Sequence, residues 1–295
     1  MKKSAIIAIV GRPSAGKSTL MNALCGEKIS IVSPVPQTTR NKIKGIMNDE
    51  AGQLIFMDTP GFHNSERKYN LEMRNLVSES LSDCDGILYV LDASRPPGEE
   101  EMQLIALLSG QKAPLVIAFN KTDIASPERL RELLEESPGS LPPGMEISAA
   151  TGHGLEELKQ ALFSISPEGE ALYPEDYYTD QDPEFRIAEI IRERAMMNAR
   201  DELPHAMYVE IHDMEINERE EGKIPQLWIR ASVVVETKSQ VGLVVGKGGT
   251  GIKEIRVKSQ KEIGRLFPYR IHLDLRVKTN PKWRRNDAVL RRLMK

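Results

Sequence analysis

Long apolar runs are missing from this chain. None of its 295 residues lies in a stretch approaching the roughly 18 that a membrane span needs. Cysteine is scarce as well. Cys25 and Cys84 stand far apart and in no metal-ligand spacing, so they read as small buried thiols of a reducing cytoplasm, not as a disulfide or zinc framework. Internal repeats and low-complexity tracts are absent, which excludes a solenoid. Met1-Lys2-Lys3 and the apolar stretch Ala5 to Val10 run straight into a glycine loop, so that stretch reads as a buried strand. What is present is enough chain for two ordinary domains, with 40% hydrophobic and 28% charged residues. The net charge of −3 conceals a division. From Arg230 to Lys295 there are 17 Lys and Arg against 5 Asp and Glu, a balance of +12 that leaves −15 on the rest. Such polarity points to a polyanionic partner for this basic C-terminal stretch.

Short β-rich runs alternate with helical stretches through the first 165 residues. Ile6 to Val10, Leu54 to Met57, Ile87 to Leu91 and Leu115 to Phe119 read as strands buried on both faces. Glu66 to Leu81, Glu99 to Ser109, Pro127 to Glu136 and Leu155 to Phe163 read as helices. Lys42 to Met47 and Gln53 to Met57 flank a turn, so one strand pairs antiparallel. The expected fold is an α/β domain with a mixed, mostly parallel sheet and helices on both faces. The pattern breaks at Ser166 to Pro183, rich in proline, acid and tyrosine; the tyrosines predict an ordered linker. A helix from Glu184 to Glu202 carries Phe185, Ile187, Ala188, Ile191 and Ala195 as its apolar stripe. Strands near Ala206 to Ile216 and Gln226 to Glu236 follow, then a helix from Thr250 to Leu266 and an alternating strand over Tyr269 to Lys278. This makes a smaller α+β domain. The expected boundaries are 1–167, a linker at 168–183, and 184–295.

Gly11-Arg12-Pro13-Ser14-Ala15-Gly16-Lys17-Ser18, continued by Thr19, fits the phosphate-loop pattern and lies between a strand and a helix. Its glycines let backbone N–H groups close on phosphate, and the helix N-terminus adds positive potential. Lys17 suits the β- and γ-phosphates, and the Ser18 hydroxyl suits Mg²⁺. Asp58-Thr59-Pro60-Gly61 follows an apolar strand: Asp58 can hold Mg²⁺ through water, and the Gly61 N–H can meet the γ-phosphate. Asn120-Lys121-Thr122-Asp123 follows another. The Asp123 carboxylate can accept both N–H groups of a guanine edge; adenine lacks that pair and would leave a buried charge unpaired. Asn120 can brace the phosphate loop, and the Lys121 stem can lie on the base. Ser148-Ala149-Ala150 offers backbone to the guanine oxygen. Four loops in this order, each at a strand's C-terminal end, mark the ligand edge of an α/β sheet.

This set resembles the Era branch of the translation-factor-related GTPases. Ser33-Pro34-Val35-Pro36-Gln37-Thr38-Thr39-Arg40 looks like the first switch of that branch, with Thr39 as the aligned ligand of Mg²⁺ and γ-phosphate, and Thr38 as the other choice. Phe62 follows Gly61 where Ras-like enzymes carry a water-orienting glutamine. It cannot orient water, so slow intrinsic hydrolysis is expected, with Lys17, Thr39 and Gly61 as the catalytic contacts.

The second glycine loop, Gly246-Lys247-Gly248-Gly249, is weak evidence alone because glycine turns are common. It opens a helix that continues through Ile252, Ile255 and Ile263 in the basic C-terminal stretch, and so resembles the G-x-x-G clamp of a type II KH domain. Lys247 would meet phosphate, with Lys253 and Arg256 extending the positive surface beside Lys258 and Lys261. Two readings of Trp283 stand: a base-stacking residue among Lys282, Arg284 and Arg285, or a pin holding the tail to the core.

The resemblance implies a GTP/GDP switch with Mg²⁺ as cofactor, binding single-stranded RNA near the 3′ end of small-subunit ribosomal RNA and acting in assembly of the small ribosomal subunit. It implies a cytoplasmic monomer, with peripheral contact at the inner face of the membrane as a further expectation. The competing reading is an RNA chaperone with a vestigial nucleotide site. One departure bears on a further cofactor. Relatives usually carry Asn-Val at Ser14-Ala15, and that Asn ligates a monovalent cation where one is used. Ser14 offers a single oxygen, so weak potassium dependence is expected. Hydrolysis rates measured in sodium and potassium should match, and Ser14→Asn should separate them; strong potassium stimulation of the unaltered chain would contradict this.

Overall fold

A computed structural model describes residues 1–32, 43–59, 77–137, 141–199, 203–218, 222 and 224–293. Met1–Val32 and the described residues up to Asp180 form one compact unit; Gln181–Arg291 form another.

The first unit is built on a six-stranded sheet. In chain order its elements are β1 (Lys3–Val10), α1 (Lys17–Cys25), β2 (Ile43–Asp49), β3 (Gly52–Asp58), β4 (Gly86–Asp92), α2 (Glu99–Leu108), β5 (Leu115–Asn120), α3 (Glu128–Glu136), β6 (Gly144–Glu146) and α4 (Leu155–Ile165), with a helical stretch at 77–82. The strand order is β2-β3-β1-β4-β5-β6. Only β2 runs antiparallel, pairing with β3 from Ile43↔Asp58 to Asp49↔Gly52. The mixed, mostly parallel sheet is thus as expected, though the hairpin is tighter: its turn is only Glu50 and Ala51. β3 and β4 are buried at every position, which explains their unbroken apolar runs. The expected helix at Glu66 to Leu81 falls mostly outside the described residues.

The Pro-, Tyr- and acid-rich segment is ordered against this sheet's edge. Tyr178 O accepts the Ile46 N–H at 2.9 Å. The Thr179 hydroxyl donates to Lys44 O at 2.8 Å. Gln53 accepts the N–H groups of Leu172 and Tyr173 and donates to Tyr173 O at 2.9 Å. Lys44 Nζ reaches Asp180 at 2.9 Å and Tyr173 OH at 3.1 Å. The hydrogen bond to Asp180 is the main reason its pKa is raised. A strap so bonded covers β2, an edge strand whose backbone groups otherwise face solvent.

The second unit has a three-stranded sheet ordered β7-β8-β9. Its elements are α5 (Pro183–Asn198), β7 (Met207–Asn217), β8 (Gln226–Val235), α6 (Lys238–Val245), α7 (Thr250–Leu266), β9 (Arg270–Thr279) and α8 (Asp287–Leu293). β7 and β8 pair antiparallel; β8 and β9 pair parallel. The core joins Ile187, Ile191 and Ala195 of α5 with Ile229, Ile255, Ile263 and Leu273. Two helices, α6 and α8, were not expected from the sequence. The apolar stripe of α5 packs into the core through Ile187, Ile191 and Ala195, and Arg192 and Glu193 on the same helix are buried too, each 1% exposed. Arg192 is held bidentate by Glu189, at 2.6 and 2.7 Å, which makes a buried guanidinium tolerable.

Trp283 is the pin. It is 1% exposed, donates from Nε1 to Ala206 O at 3.1 Å, and meets the Tyr208 ring edge-on at 5.0 Å. The base-stacking alternative is set aside, because a ring so enclosed offers no face to a base. Trp283→Ala should lower unfolding free energy by about 3–5 kcal/mol in denaturant titration; an unchanged midpoint would contradict the packing described.

Candidate functional site

Parallel pairing brings the motif loops to one edge. β3, β1, β4, β5 and β6 are successive neighbours, so the loops after β1, β3, β5 and β6 emerge side by side at their C-terminal ends. Ile9 lies opposite Asp58, and Asp92 opposite Asn120.

The phosphate loop ends on α1, whose N-cap Gly16 is left-handed at φ 93°. A Cβ there would lie 2.3 Å from Asn120 Nδ2, so the position requires glycine on both counts. Lys17 is buried, and its Nζ donates to Gly11 O at 2.9 Å and Arg12 O at 3.0 Å. Burial pulls its pKa down to about 8, against the opposing pull of Asp58. Ser14 sits at φ 64°, and Ala15 is buried. Pro13, Ser18 and Thr19 are half-buried.

Arg12 points elsewhere than to the loop's interior. Its Nε lies 2.9 Å from Glu101 Oε1 on α2, with side chains 10% and 3% exposed. Glu101 also accepts the Gly98 N–H at 2.8 Å, closing the N-terminus of α2. The first residue after Gly11 is thereby tied to a helix some 90 residues away. Arg12 belongs to the site through its backbone carbonyl and this anchor.

Asn120 and its neighbours tie the base-side loops together. Asn120 Nδ2 donates to Ala15 O at 2.8 Å, and its Oδ1 accepts the Ala149 N–H at 2.9 Å. The expected brace of the phosphate loop is present, and it reaches the Ser148 loop too. Lys121, at φ 70°, places Nζ 2.7 Å from Asp92. Burial works to raise the Asp92 pKa, but hydrogen bonds from Lys121 and Ser94 outweigh it and hold the carboxyl below its ordinary range. The Lys121 stem is thus pinned where a base could lie along it. Thr122 Oγ1 donates to Ile147 O at 2.9 Å. Asp123 is exposed at the loop's outer rim, while Ser148 and Ala149 are buried and Ala150 is exposed. Asp92 and Glu101 are supports that the motifs did not reveal; no local signal marks either partner.

The metal-binding expectation rests on Ser18, Asp58 and Thr39. Ser18 Oγ donates to Asp58 Oδ2 at 2.6 Å, and Asp58 is wholly buried. A hydroxyl and a carboxylate so close form the oxygen donor set that Mg²⁺ takes beside phosphate. Thr59 Oγ1 donates to Ile9 O at 2.8 Å. Thr38, Thr39, Pro60, Gly61 and Phe62 lie outside the described residues.

In the second unit, α6 is capped at its C-terminus by Gly246, one turn covers Lys247–Gly249, and α7 begins at Thr250. Gly246, Gly248 and Gly249 have φ of 71°, 62° and 79°. Thr250 Oγ1 closes the turn onto Lys247 O at 2.9 Å. Lys247, Gly248, Lys253 and Arg256 are exposed, and Lys258 is paired with Glu254 at 2.6 Å. The missed helix α6 did have a signal: Thr237 and Gln240 form a capping box. It fixes the entry to the turn.

Comparisons with known proteins match both domains. The family described as 50S ribosome-binding GTPase matches residues 6–121, and the KH domain family matches residues 202–284. A GTPase Era of Treponema denticola is 46% identical, over 98% of this chain and 99% of that protein. One from Borreliella afzelii is 42% identical over 99% of both. Among solved structures, Era in complex with MgGDPNP and nucleotides 1506–1542 of 16S ribosomal RNA superposes with a TM-score of 0.92, 33% identity, and coverage of 100% of this chain and 99% of that one. An Aquifex aeolicus Era variant bound to GDP and aluminium fluoride gives 0.91, at 33% identity and coverage of 99% and 98%. With relatives this similar along its whole length, and with both glycine loops set in the predicted folds, the chain belongs to the Era family of GTPases.

Proposed function

We propose that this chain is a GTP-hydrolysing switch that binds the 3′ region of small-subunit ribosomal RNA and acts in assembly of the small ribosomal subunit. The observation that carries the nucleotide half is the Asn120 brace, which holds the phosphate loop and the Ser148 loop in one frame beside exposed Asp123. In that frame Lys17 and the loop N–H groups take the β- and γ-phosphates, Asp123 the guanine edge and Ser18 with Asp58 the cation. Mg²⁺, when bound, neutralises charge developing on the phosphates. Lys17 then keeps its proton, because phosphate charge offsets the burial that lowers its pKa.

The RNA half is supported by the glycine turn at Gly246–Gly249 with exposed Lys247, Lys253 and Arg256, and by the ribosomal RNA bound to the solved relative. The division into a nucleotide domain at 1–167, a linker at 168–183 and an RNA-binding domain at 184–295 goes with this reading. So does a coupling route. β2 begins directly after the 33–42 segment, and the strap at 172–180 is hydrogen-bonded to β2. A γ-phosphate contacted by the 33–42 segment would be felt at the strap through β2, as a two-state device. No helix among the described residues is long and apolar enough to cross a membrane. The chain works as a cytoplasmic monomer in this reading, with any membrane contact peripheral.

Asp123→Asn tests both halves together. It should move the nucleotide requirement for hydrolysis and for RNA binding from guanosine to xanthosine triphosphate, read by phosphate release and by fluorescence anisotropy on a 3′-terminal RNA oligonucleotide. A variant that keeps its guanine preference would overturn the base assignment. One that switches nucleotide for hydrolysis, yet binds RNA without regard to nucleotide, would overturn the coupling.

A further inference from the structure

Asp58 is held from two directions. Its Oδ2 accepts the Ser18 hydroxyl at 2.6 Å and the Ser30 hydroxyl at 2.9 Å. Ser18 belongs to the phosphate loop. Ser30 belongs to no motif; it lies between α1 and the 33–42 segment. Ser30 and Asp58 are both 0% exposed, so the contact is sealed from water.

A single side chain places Ser30 there. Asn22, on α1, accepts the N–H groups of Ile29 and Ser30 at 2.9 Å each through Oδ1. Its Nδ2 donates to Ser30 O at 2.8 Å. Three hydrogen bonds with one carboxamide, two of them to Ser30 and one to Ile29, fix this backbone to the helix that carries Ser18. The two hydroxyls are therefore referenced to the same rigid element, and the carboxylate between them has little freedom to turn. Hydroxyl donation to a buried carboxylate is a strong, charge-assisted contact.

We propose that Ser30 is a positioning residue for the magnesium site, holding the Asp58 carboxylate in the orientation that meets the cation, with Asn22 as its anchor. The proposal rests on the assignment of Ser18 and Asp58 to Mg²⁺. Residues that orient a metal ligand from behind typically change metal affinity by roughly 10- to 100-fold when removed. Base recognition, on the far side of the phosphate loop, should not be affected.

The test is release of a fluorescent GDP from the full chain as free Mg²⁺ is varied. Ser30→Ala should need about tenfold more free Mg²⁺ for half-maximal slowing of release, while its GDP affinity in EDTA stays at the unaltered value. Asn22→Ala keeps both hydroxyls but loses the anchor, and should shift the curve the same way. A Ser30→Ala curve that superimposes on the unaltered chain would overturn the proposal. So would an equal loss of GDP affinity in EDTA, which would make Ser30 merely structural. Asp58→Ala separates this from failure of the magnesium assignment: if it leaves the Mg²⁺ curve unmoved, the assignment of Asp58 itself is wrong.

Discussion

The Asn120 carboxamide donates to Ala15 O and accepts the Ala149 N–H, and through those two bonds three loops share one geometry. Gly16 is required because any Cβ would collide with this same side chain. Outward from Asn120, other pairs extend the frame. Lys121 is tied to Asp92, Arg12 to Glu101, and Ser18 and Ser30 to Asp58. Each joins elements distant in sequence, so the site behaves as a preassembled cradle. Preorganised donors of this kind recognise phosphate without the cost of ordering loops at the moment of binding.

The second unit achieves its turn by different means. A capping box at Thr237 and Gln240 starts α6, and three glycines with positive φ then reverse the chain into α7. Backbone at such a turn is bare, and Lys247 beside it is exposed. Phosphate can approach main-chain N–H groups where no Cβ intervenes. The tail that follows is anchored by Trp283, whose indole N–H reaches Ala206 O 77 residues back.

Much of this was legible in the residues. Strands buried on both faces announce themselves as unbroken apolar runs, and β3 and β4 did so. The loops that begin at Gly11, Asp58, Asn120 and Ser148 could be picked out because each motif calls for particular residue types at fixed spacing. α6 escaped notice because an eight-residue helix ending in Leu-Val-Val before glycine reads as loop. The stripe of α5 was legible, but a stripe pattern cannot show that Arg192 and Glu193 are buried too. The Trp283 environment was ambiguous for a related reason: its neighbours in sequence are basic, whereas its partners Ala206 and Tyr208 are distant. The supports at Asp92, Glu101 and Ser30 belong to the same class. A long-range pair leaves no periodic or motif signature in a single sequence.

The strap at residues 172–180 links these two halves of the account. It is bonded to β2, which begins directly after the 33–42 segment, and it leads into α5. The central claim is that nucleotide state governs RNA binding. The most direct measurement is the affinity of the full chain for a 3′-terminal small-subunit RNA oligonucleotide, at fixed salt, with Mg²⁺ and either a non-hydrolysable GTP analogue or GDP. Binding should be tighter in the triphosphate form, by roughly 5- to 150-fold, the usual span of allosteric coupling. Equal affinities in the two forms would contradict it, because a ligand with no preference between states shifts nothing.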